Sequence, residues 1–304
     1  MSTTSTYYVP EQSKLPIFAS LGFLIIAIGG GSWLNGSSNG STIFMLGSFL
    51  MAAVVWCWFS TVIKENMAGL NNAQLKRSYV WGMSWFIFSE VMFFAAFFGA
   101  LFYIRTFALP WLGGAGSNEM TNQILWQGFE NAWPLMTTPD AAVNGDAAKI
   151  VGPAQSMSYK DVESIWGWLP LWNTIVLLTS SVTVHFAHTA LKNDNRKGFT
   201  GWLGFTVLLG IIFLFLQVEE YIHAYTELGL TLESGIYGAT FFMLTGFHGA
   251  HVTLGTLMLL VMFLRSLKGH FTHDDCFGFE AASWYWHFVD VVWVGLFLFV
   301  YILG

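Results

Sequence analysis

Seven long apolar segments restrict what this chain can fold into more than any other feature. Each is long enough to cross a hydrocarbon layer of about 30 Å, which takes about 20 helical residues. Backbone groups in lipid must be hydrogen-bonded within their own segment, so these segments are expected to be helices. They are predicted near Leu15–Leu34, Ile43–Ile63, Tyr79–Tyr103, Trp168–Leu191, Trp202–Ile222, Ile236–Leu264 and Glu280–Leu303. The expected fold class is therefore all-α, a polytopic membrane protein with seven transmembrane helices.

The composition agrees with a membrane protein. Of the 304 residues, 55% are hydrophobic and only 10% are charged, whereas soluble domains average about 25% charged residues. The net charge of −6 is spread along the chain and suggests no nucleic-acid partner. Cys57 and Cys276 are isolated, without a CxxC pair or zinc spacing, and both are expected to be structural. No cleaved signal peptide is expected, because residues 1–12 are polar and lack a basic start.

Lysine and arginine predict the orientation of the spans. With the N-terminus inside, nine of the twelve basic residues fall on the inner side and three on the outer side, which places the N-terminus in the cytoplasm and the C-terminus outside. The inner residues are Lys14, Lys64, Lys76, Arg77, Lys192, Arg196, Lys197, Arg265 and Lys268, and the outer ones are Arg105, Lys149 and Lys160. The long connection Thr106–Gly167 then lies outside. It is interpreted as a tolerated surface insertion, with a docking surface or a lid as the alternative.

The last predicted span carries Glu280, His287 and Asp290, which fall within one sector of a helix together with Trp284. Ionisable groups in hydrocarbon are costly and normally face protein, water or a partner. We therefore expect this helix to pack a polar, aromatic stripe against something inside the membrane.

Glu90 is the single residue of the predicted spans that most strongly suggests a function. It lies 11 residues past Tyr79, so about 16 Å into the third span at 1.5 Å per residue. Two hypotheses stay open. The carboxyl either handles protons or adjoins lipid, or it is protonated and donates one hydrogen bond to a neighbouring helix.

Other polar residues fall in the fourth, fifth and sixth spans. Hydrogen bonds between helices are the favoured interpretation for His248 and His251, which share a face, and a metal site is the weaker alternative. Gln217, Glu219 and Glu220 are predicted at the outer end of the fifth span, where solvation at the interface and helix-to-helix bonds would account for them. His185 and His188 are expected to anchor the fourth span at the inner interface.

Basic and aromatic residues cluster at the predicted inner surface. Two explanations remain open, binding of phospholipid phosphate or plain topology signalling. The residues are Trp58, Lys64 and Glu65 at the end of the second span, and Arg265, Lys268 and His270 at the end of the sixth.

Four motifs together resemble the cytochrome c oxidase subunit III family. The first two are Ser89-Glu90-Val91-Met92-Phe93-Phe94 and Gln217-x-x-Glu220-Tyr221. The third is Tyr237-Gly238-x-Thr240-Phe241-Phe242-x-x-Thr245-Gly246-Phe247-His248-Gly249-x-His251-Val252. The fourth begins with Phe277-Gly278-Phe279-Glu280 and continues through Trp284-Tyr285-Trp286-His287-Phe288-Val289-Asp290-Val291-Val292-Trp293. The resemblance covers about residues 42–105 and 168–304. His223 departs from it, since many relatives carry an acidic residue there, and the loop Thr106–Gly167 is longer than in mitochondrial relatives.

The resemblance implies a subunit without haem or copper, which both belong to partner subunits. It would pack against the catalytic subunit I, with subunit II in the same complex, in the inner membrane of a bacterium. Residues 1–78 would carry two helices that lean away from a five-helix bundle formed by residues 79–304, and phospholipids would fill the cleft. The residues implied for lipid binding are Trp58, Lys64, Glu65, Glu90, Arg265 and Lys268, with Glu90 also supporting proton uptake into subunit I. The interhelical polar cluster would be Glu220, His248, His251, Glu280, His287 and Asp290.

Three alternatives remain. The nearest is the third subunit of a quinol oxidase, which typically has five spans. A free-standing proton or solute carrier would use Glu90, Glu280 and Asp290. A membrane metalloenzyme would be built on His248, His251 and the carboxylates.

Overall fold

The computed structural model describes residues 12–162, 164–273 and 275–304, and in this part of the chain the all-α, seven-span prediction is confirmed. The predicted N-terminal cytoplasmic segment lies mostly in residues 1–11, outside the described residues. The seven helices are α1 (Leu15–Leu34), α2 (Gly40–Met67), α3 (Ala73–Tyr103), α4 (Leu169–Lys192), α5 (Arg196–Thr226), α6 (Gly235–Leu267) and α7 (Phe277–Leu296). A π-helical turn, Ile104–Ala108, extends α3 into the short helix Leu109–Leu112, and another, Phe297–Ile302, follows α7.

Several helices are longer than the apolar segments that predicted them. The second begins at Gly40 rather than Ile43 and ends at Met67 rather than Ile63, and the fifth runs from Arg196 to Thr226 rather than from Trp202 to Ile222. Hydropathy marks only the part of a helix that matches the hydrocarbon, whereas polar residues can continue the helix beyond it. At α5 the start is fixed by Asn195, whose side-chain oxygen accepts a hydrogen bond from the Gly198 amide at 3.0 Å.

The chain divides into two compact units. The first ends at Gly82, and the second begins at Met83. In the first unit, α1 and α2 form a hairpin with very close backbone contact. A Cβ atom added at Gly29 would overlap the backbone of Phe44, and one added at Gly40 would overlap the backbone of Trp33. Small residues at such positions let membrane helices approach closely, because lipid gives little hydrophobic drive for association.

In the second unit, α7 is the most deeply buried of the spans. Trp286 and Trp293 are fully buried, and each donates its indole N–H to a hydroxyl of α4, at 2.9 Å to Ser180 Oγ and 2.9 Å to Thr174 Oγ1. Space for Trp286 comes from Gly255 of α6, where an added Cβ would lie 2.9 Å from the indole ring. The core therefore forms where α7 meets the helices around it.

The long connection 106–167 carries short helices of its own, Glu119–Leu125 and Pro139–Asn144. Its apolar residues Phe129, Leu135 and Met157 are buried in the same core as the spans. Polar contacts attach it to the bundle: for example, the Met157 amide donates to the Tyr237 hydroxyl at 3.1 Å, and Ser158 Oγ donates to the Gly304 carbonyl at 2.6 Å.

Asp140 joins the short helix Pro139–Asn144 to the irregular segment that follows it. Its carboxylate accepts hydrogen bonds from the amides of Ile150 at 3.0 Å and Lys149 at 2.7 Å, and from the Asn144 side chain at 2.7 Å. The Ile150 amide, foremost among these donors, lowers the pKa of the Asp140 carboxyl below its ordinary value. Much of the connection is thus ordered and packed, although its biological role stays a prediction.

The close approach of α1 and α2 predicts opposite effects for two neighbouring glycines. We expect Gly29→Ala to destabilise the hairpin, because the methyl group would overlap the Phe44 backbone. Gly31→Ala should be neutral or stabilising by up to about 1 kcal/mol, since alanine favours the helix and nothing lies within 4 Å of an added Cβ there. The check is the thermal midpoint for loss of helical circular dichroism in detergent. Equal midpoints for both variants would contradict the packing of this hairpin.

Candidate functional site

Glu220 is fully buried on α5, between α4 and the end of the chain. One carboxylate oxygen accepts a hydrogen bond from the Tyr301 hydroxyl at 2.5 Å, and the other accepts one from the Asn173 amide nitrogen at 3.3 Å. Gln217, one turn away, is also buried, whereas Glu219 faces outward. Interfacial solvation therefore does not explain Glu220, because the helix continues to Thr226 and its neighbours exclude solvent. Hydrogen bonding between helices does.

His248 is fully buried on α6 and bonds to α7. Its Nε2 lies 3.2 Å from the Val289 carbonyl oxygen, which can only accept, so Nε2 carries the proton. The imidazole also packs against the rings of Trp293 and Phe213, with centroids 5.0 and 5.8 Å away. This residue joins two helices through a backbone group.

His251, one turn further along α6, has a different partner. Its Nε2 lies 2.9 Å from Glu90 Oε2 on α3, and its Nδ1 lies 2.6 Å from the Phe247 carbonyl oxygen. The carbonyl fixes the proton on Nδ1, so the hydrogen bond to Glu90 needs one further proton, held by either the carboxyl or Nε2. The pair is electrically neutral in both arrangements. Phe94 packs against the imidazole with ring centroids 4.9 Å apart.

Glu280 forms a fourth group with α4 at the start of α7. Its Oε1 lies 3.0 Å from Lys192 Nζ, 3.3 Å from His188 Nε2 and 3.4 Å from Cys276 Sγ. Burial raises the pKa of the Cys276 thiol, and the nearby Glu280 carboxylate adds to this shift. His188 therefore contacts a residue of α7 and does not act only as an interfacial anchor. His185, by contrast, is exposed.

His287 and Asp290 form a fifth group with Ser181 of α4. His287 Nδ1 lies 2.9 Å from Ser181 Oγ and 3.5 Å from Asp290 Oδ2. The serine and the carboxylate approach the same ring nitrogen, whereas a hydrolytic triad needs them at opposite nitrogens. The arrangement orients an imidazole and does not activate a nucleophile.

The predicted interhelical polar residues thus lie in five places and not in one cluster. Only His287 and Asp290 of that set contact each other. The partners of the remaining four are Asn173, Tyr301, Val289, Phe247, Glu90, His188, Lys192 and Cys276. The metal hypothesis for His248 and His251 fits poorly, because each Nε2 is engaged with a separate protein oxygen. Among the described residues, no three His, Cys, Asp or Glu side chains are grouped to hold a metal ion.

The residues predicted to bind lipid are divided between the two units. In the first, Trp58 and Lys64 of α2 are exposed and Glu65 is half-buried. In the second, Lys268 directly follows α6 and is exposed, whereas Arg265 is largely buried with its guanidinium 4.7 Å from the Phe271 ring centroid. The Arg265 guanidinium therefore packs against protein, and Lys268 is the more accessible of these two cations.

Sequence reasoning missed several partners. Asn173 and Tyr301 complete one of these groups and Ser181 another, yet each is an ordinary polar residue in an apolar span. Two of them share a signal in the sequence. Asn173 and Ser181 lie on α4 directly beside Thr174 and Ser180, whose hydroxyls accept the hydrogen bonds of the two indoles. An apolar helix with four polar residues on nearby positions predicts a polar neighbour.

Fold and site together define a multi-pass helical membrane protein in which the buried ionisable side chains described above join helices to one another. The family model described as "Cytochrome c oxidase subunit III" matches residues 5–116 and 160–304. The chain belongs to this family, whose members are subunits of an oxidase complex, and the resemblance predicted from the motifs is confirmed. The match leaves residues 117–159 aside, which lie within the long connection.

Individual relatives extend over nearly the whole chain. The protein named cytochrome c oxidase subunit 3 from Drosophila melanogaster is 36% identical over 307 residues, covering 100% of both chains. Those from Felis catus and Dugong dugon are 35% and 36% identical over 302 residues, covering 99% of this chain and 98% of theirs.

The bond between Glu90 and His251 predicts how two substitutions differ. Glu90→Gln should leave assembly and stability nearly unchanged, because the side-chain amide can still donate to Nε2. Glu90→Leu should lower stability by about 1–3 kcal/mol, since it leaves a partly buried imidazole nitrogen without a partner. The check is the thermal midpoint of the purified complex. If glutamine and leucine destabilise it equally, the hydrogen bond is not what Glu90 contributes.

Proposed function

We propose that this chain is the non-redox third subunit of a proton-pumping cytochrome c oxidase. Electrons from cytochrome c would reduce oxygen to water in haem- and copper-containing partner subunits, while this chain binds phospholipid, stabilises the catalytic subunit I and supports its proton uptake. Subunit II would belong to the same complex. The observation that carries the proposal is the match of the subunit III family to both membrane segments of the chain.

The engagement of the side chains supports a role without redox chemistry. Histidine and carboxylate are the residues that would ligate a metal in such a bundle. Here Glu220, His248 and Glu90 each bond to a group on another helix. A metalloenzyme would need to break these contacts before it could use the same side chains as ligands.

Support for proton uptake rests on the Glu90 and His251 pair. Because its hydrogen bond accommodates one proton on either atom, the pair can change the site of that proton without creating net charge in the membrane. We propose that Glu90 contributes to proton delivery through this exchange, with the rest of the route in subunit I.

Phospholipid binding is proposed for the residues Trp58, Lys64, Glu65, Glu90, Arg265 and Lys268. The support is chemical: Lys64 and Lys268 are exposed cations at helix ends, and cations near the membrane surface attract lipid phosphate. Trp58 is an exposed indole one to two turns before Lys64, suited to the headgroup level.

The location proposed is the inner membrane of a bacterium, with the N-terminus in the cytoplasm and the C-terminus outside. The nine-to-three distribution of basic residues supports the orientation. The insertion 117–159, which the family match leaves aside, is the support for a bacterial source, although the relatives described above are animal proteins.

A quinol oxidase is the nearest second candidate. The seven spans among the described residues disfavour it, because its third subunit typically has five. A free-standing carrier is disfavoured because Glu280 and Glu90, which it would use, are bonded within the chain.

The proposal predicts what accompanies the chain in mild detergent. An affinity-tagged chain isolated from its native membrane should bring haem-containing partner subunits with it, and the purified complex should oxidise reduced cytochrome c with oxygen uptake. Visible spectra, the set of co-purifying polypeptides and oxygen consumption are the measurements. A stable chain isolated without any haem protein would refute the proposal, and oxidation of quinol in place of cytochrome c would favour the second candidate.

The lipid proposal predicts loss of phospholipid on Arg265→Ala and on Lys268→Ala. Arg265 is also a packing residue, so the exposed Lys268 tests headgroup attraction with less structural disturbance. Lys197→Ala is the matched control, because Lys197 is an exposed cation at the start of α5 outside the proposed set. Phospholipid phosphorus per haem in the purified complex is the measurement. Unchanged content in both test variants would count against this site.

A further inference from the structure

We propose that one ridge of α7, with the adjoining face of α4, is an intramembrane docking surface for a transmembrane helix of the catalytic subunit. That helix would present a hydrogen-bonding group to His287. This inference rests on the proposed function for the identity of the occupant, and it assigns the contact to particular residues of this chain.

The α7 helix has two unlike sides. One side is buried in the bundle and includes Trp286 and Trp293. The other is a ridge of Trp284, His287, Val291 and Val294, spaced three or four residues apart so that they follow one line along the helix. Val291 is 71% exposed, and the His287 side chain is 41% exposed. The ridge also continues the polar stripe that begins at Glu280.

His287 lies deep in the span. It is ten residues after Phe277, the first residue of α7, and fifteen before Ile302, where the following turn ends. At 1.5 Å per residue these intervals are about 15 and 22 Å, which places the imidazole near the middle of the hydrocarbon. Acyl chains at that depth offer no hydrogen-bond partner, so an exposed imidazole there is expected to meet protein.

The orientation of the imidazole leaves one nitrogen for such a partner. Nδ1 is taken by Ser181 Oγ at 2.9 Å, with Asp290 Oδ2 at 3.5 Å. Within the ranges 12–162, 164–273 and 275–304, Nε2 of His287 has no hydrogen-bond partner. Two contacts on one edge of the ring therefore leave the opposite edge available to a group outside this chain.

The surface beside this ridge is two helices wide. Ser181 joins α4 to His287, and Leu178, Val182 and His185 lie on the same face of α4 at helical spacing. Leu178 and Val182 are 43% and 52% exposed. Together the two helices present apolar side chains around a central imidazole, and a polar group within an apolar contact is a typical attachment between membrane helices.

The choice of a protein occupant over lipid follows from the imidazole, and the choice of an oxidase subunit follows from the family. Members of the family are parts of an oxidase complex. The ridge carries no lysine, arginine or free carboxylate, so the complementary group is an uncharged hydroxyl, amide or backbone carbonyl. A purely lipid-facing surface would have no use for a histidine held in one orientation.

Photo-cross-linking tests the occupant directly. Benzoylphenylalanine placed at Val182 or at Val291 in the assembled complex should form adducts with the haem-containing catalytic subunit. Leu208 on α5 is the matched control: it is 49% exposed and about 18 Å from the start of its helix, against about 15 Å for Val182 from the end of α4. Adducts with lipid alone at 182 and 291, or equal capture at 208, would overturn the inference.

Substitutions at the polar centre give a second readout. His287→Leu should weaken retention of the haem protein by the tagged chain roughly three- to thirtyfold, the range expected for one hydrogen bond between membrane helices. His287→Gln, which keeps a polar group, should restore most of it, and Ser181→Ala should change it little because the outward nitrogen remains. Unchanged retention in His287→Leu, with normal helical content, would overturn the inference. Failure of the wild-type chain to retain any haem protein would instead overturn the proposed function.

Discussion

Hydrocarbon offers no hydrogen-bond partners, and this constraint governs how the helices of the second unit are joined. Glu220 with Tyr301, His248 with the Val289 carbonyl, and the two indoles with Ser180 and Thr174 each satisfy a buried polar group by pairing it across helices. Individually such bonds stabilise membrane proteins by about 0.6–2 kcal/mol. Their larger effect is geometric, since each one fixes the rotation of a helix whose apolar surface would otherwise pack in several ways.

The spans could be predicted from the sequence because apolar length is a local property. The pairing of Glu220 with Asn173 and Tyr301 could not, since it depends on how three separate helices are rotated. The ends of helices were missed for a related reason: α5 continues to Thr226 through polar residues, and this moved Glu220 from an expected interface into the core. Family motifs marked His251 and Glu90 as important, but only the fold showed that they are one pair.

The long connection shows a similar limit. Its polar composition predicted a surface insertion, yet Phe129, Leu135 and Met157 join the core of the bundle, and Ser158 bonds to the Gly304 carbonyl. These few apolar residues are separated by turns and follow no helical or strand period, so pattern analysis assigns them no partner. Arg105 adds to the same end of the bundle by donating to the Leu303 carbonyl at 2.7 Å. Part of an insertion that the family match leaves aside has therefore become structural in this chain.

The two sides of α7 separate the roles of stability and assembly. A polar group needed only for folding has no reason to remain accessible once it has found a partner, as Glu220 and His248 illustrate. His287 differs, because its internal contacts use one nitrogen and orient the other outward from the bundle. A carrier would instead be expected to surround its ionisable residues with a hydrated path through its own interior. Glu220 and His248 lie at contacts between helices, and His287 lies on an outer ridge. This distribution suits a subunit that packs against other subunits.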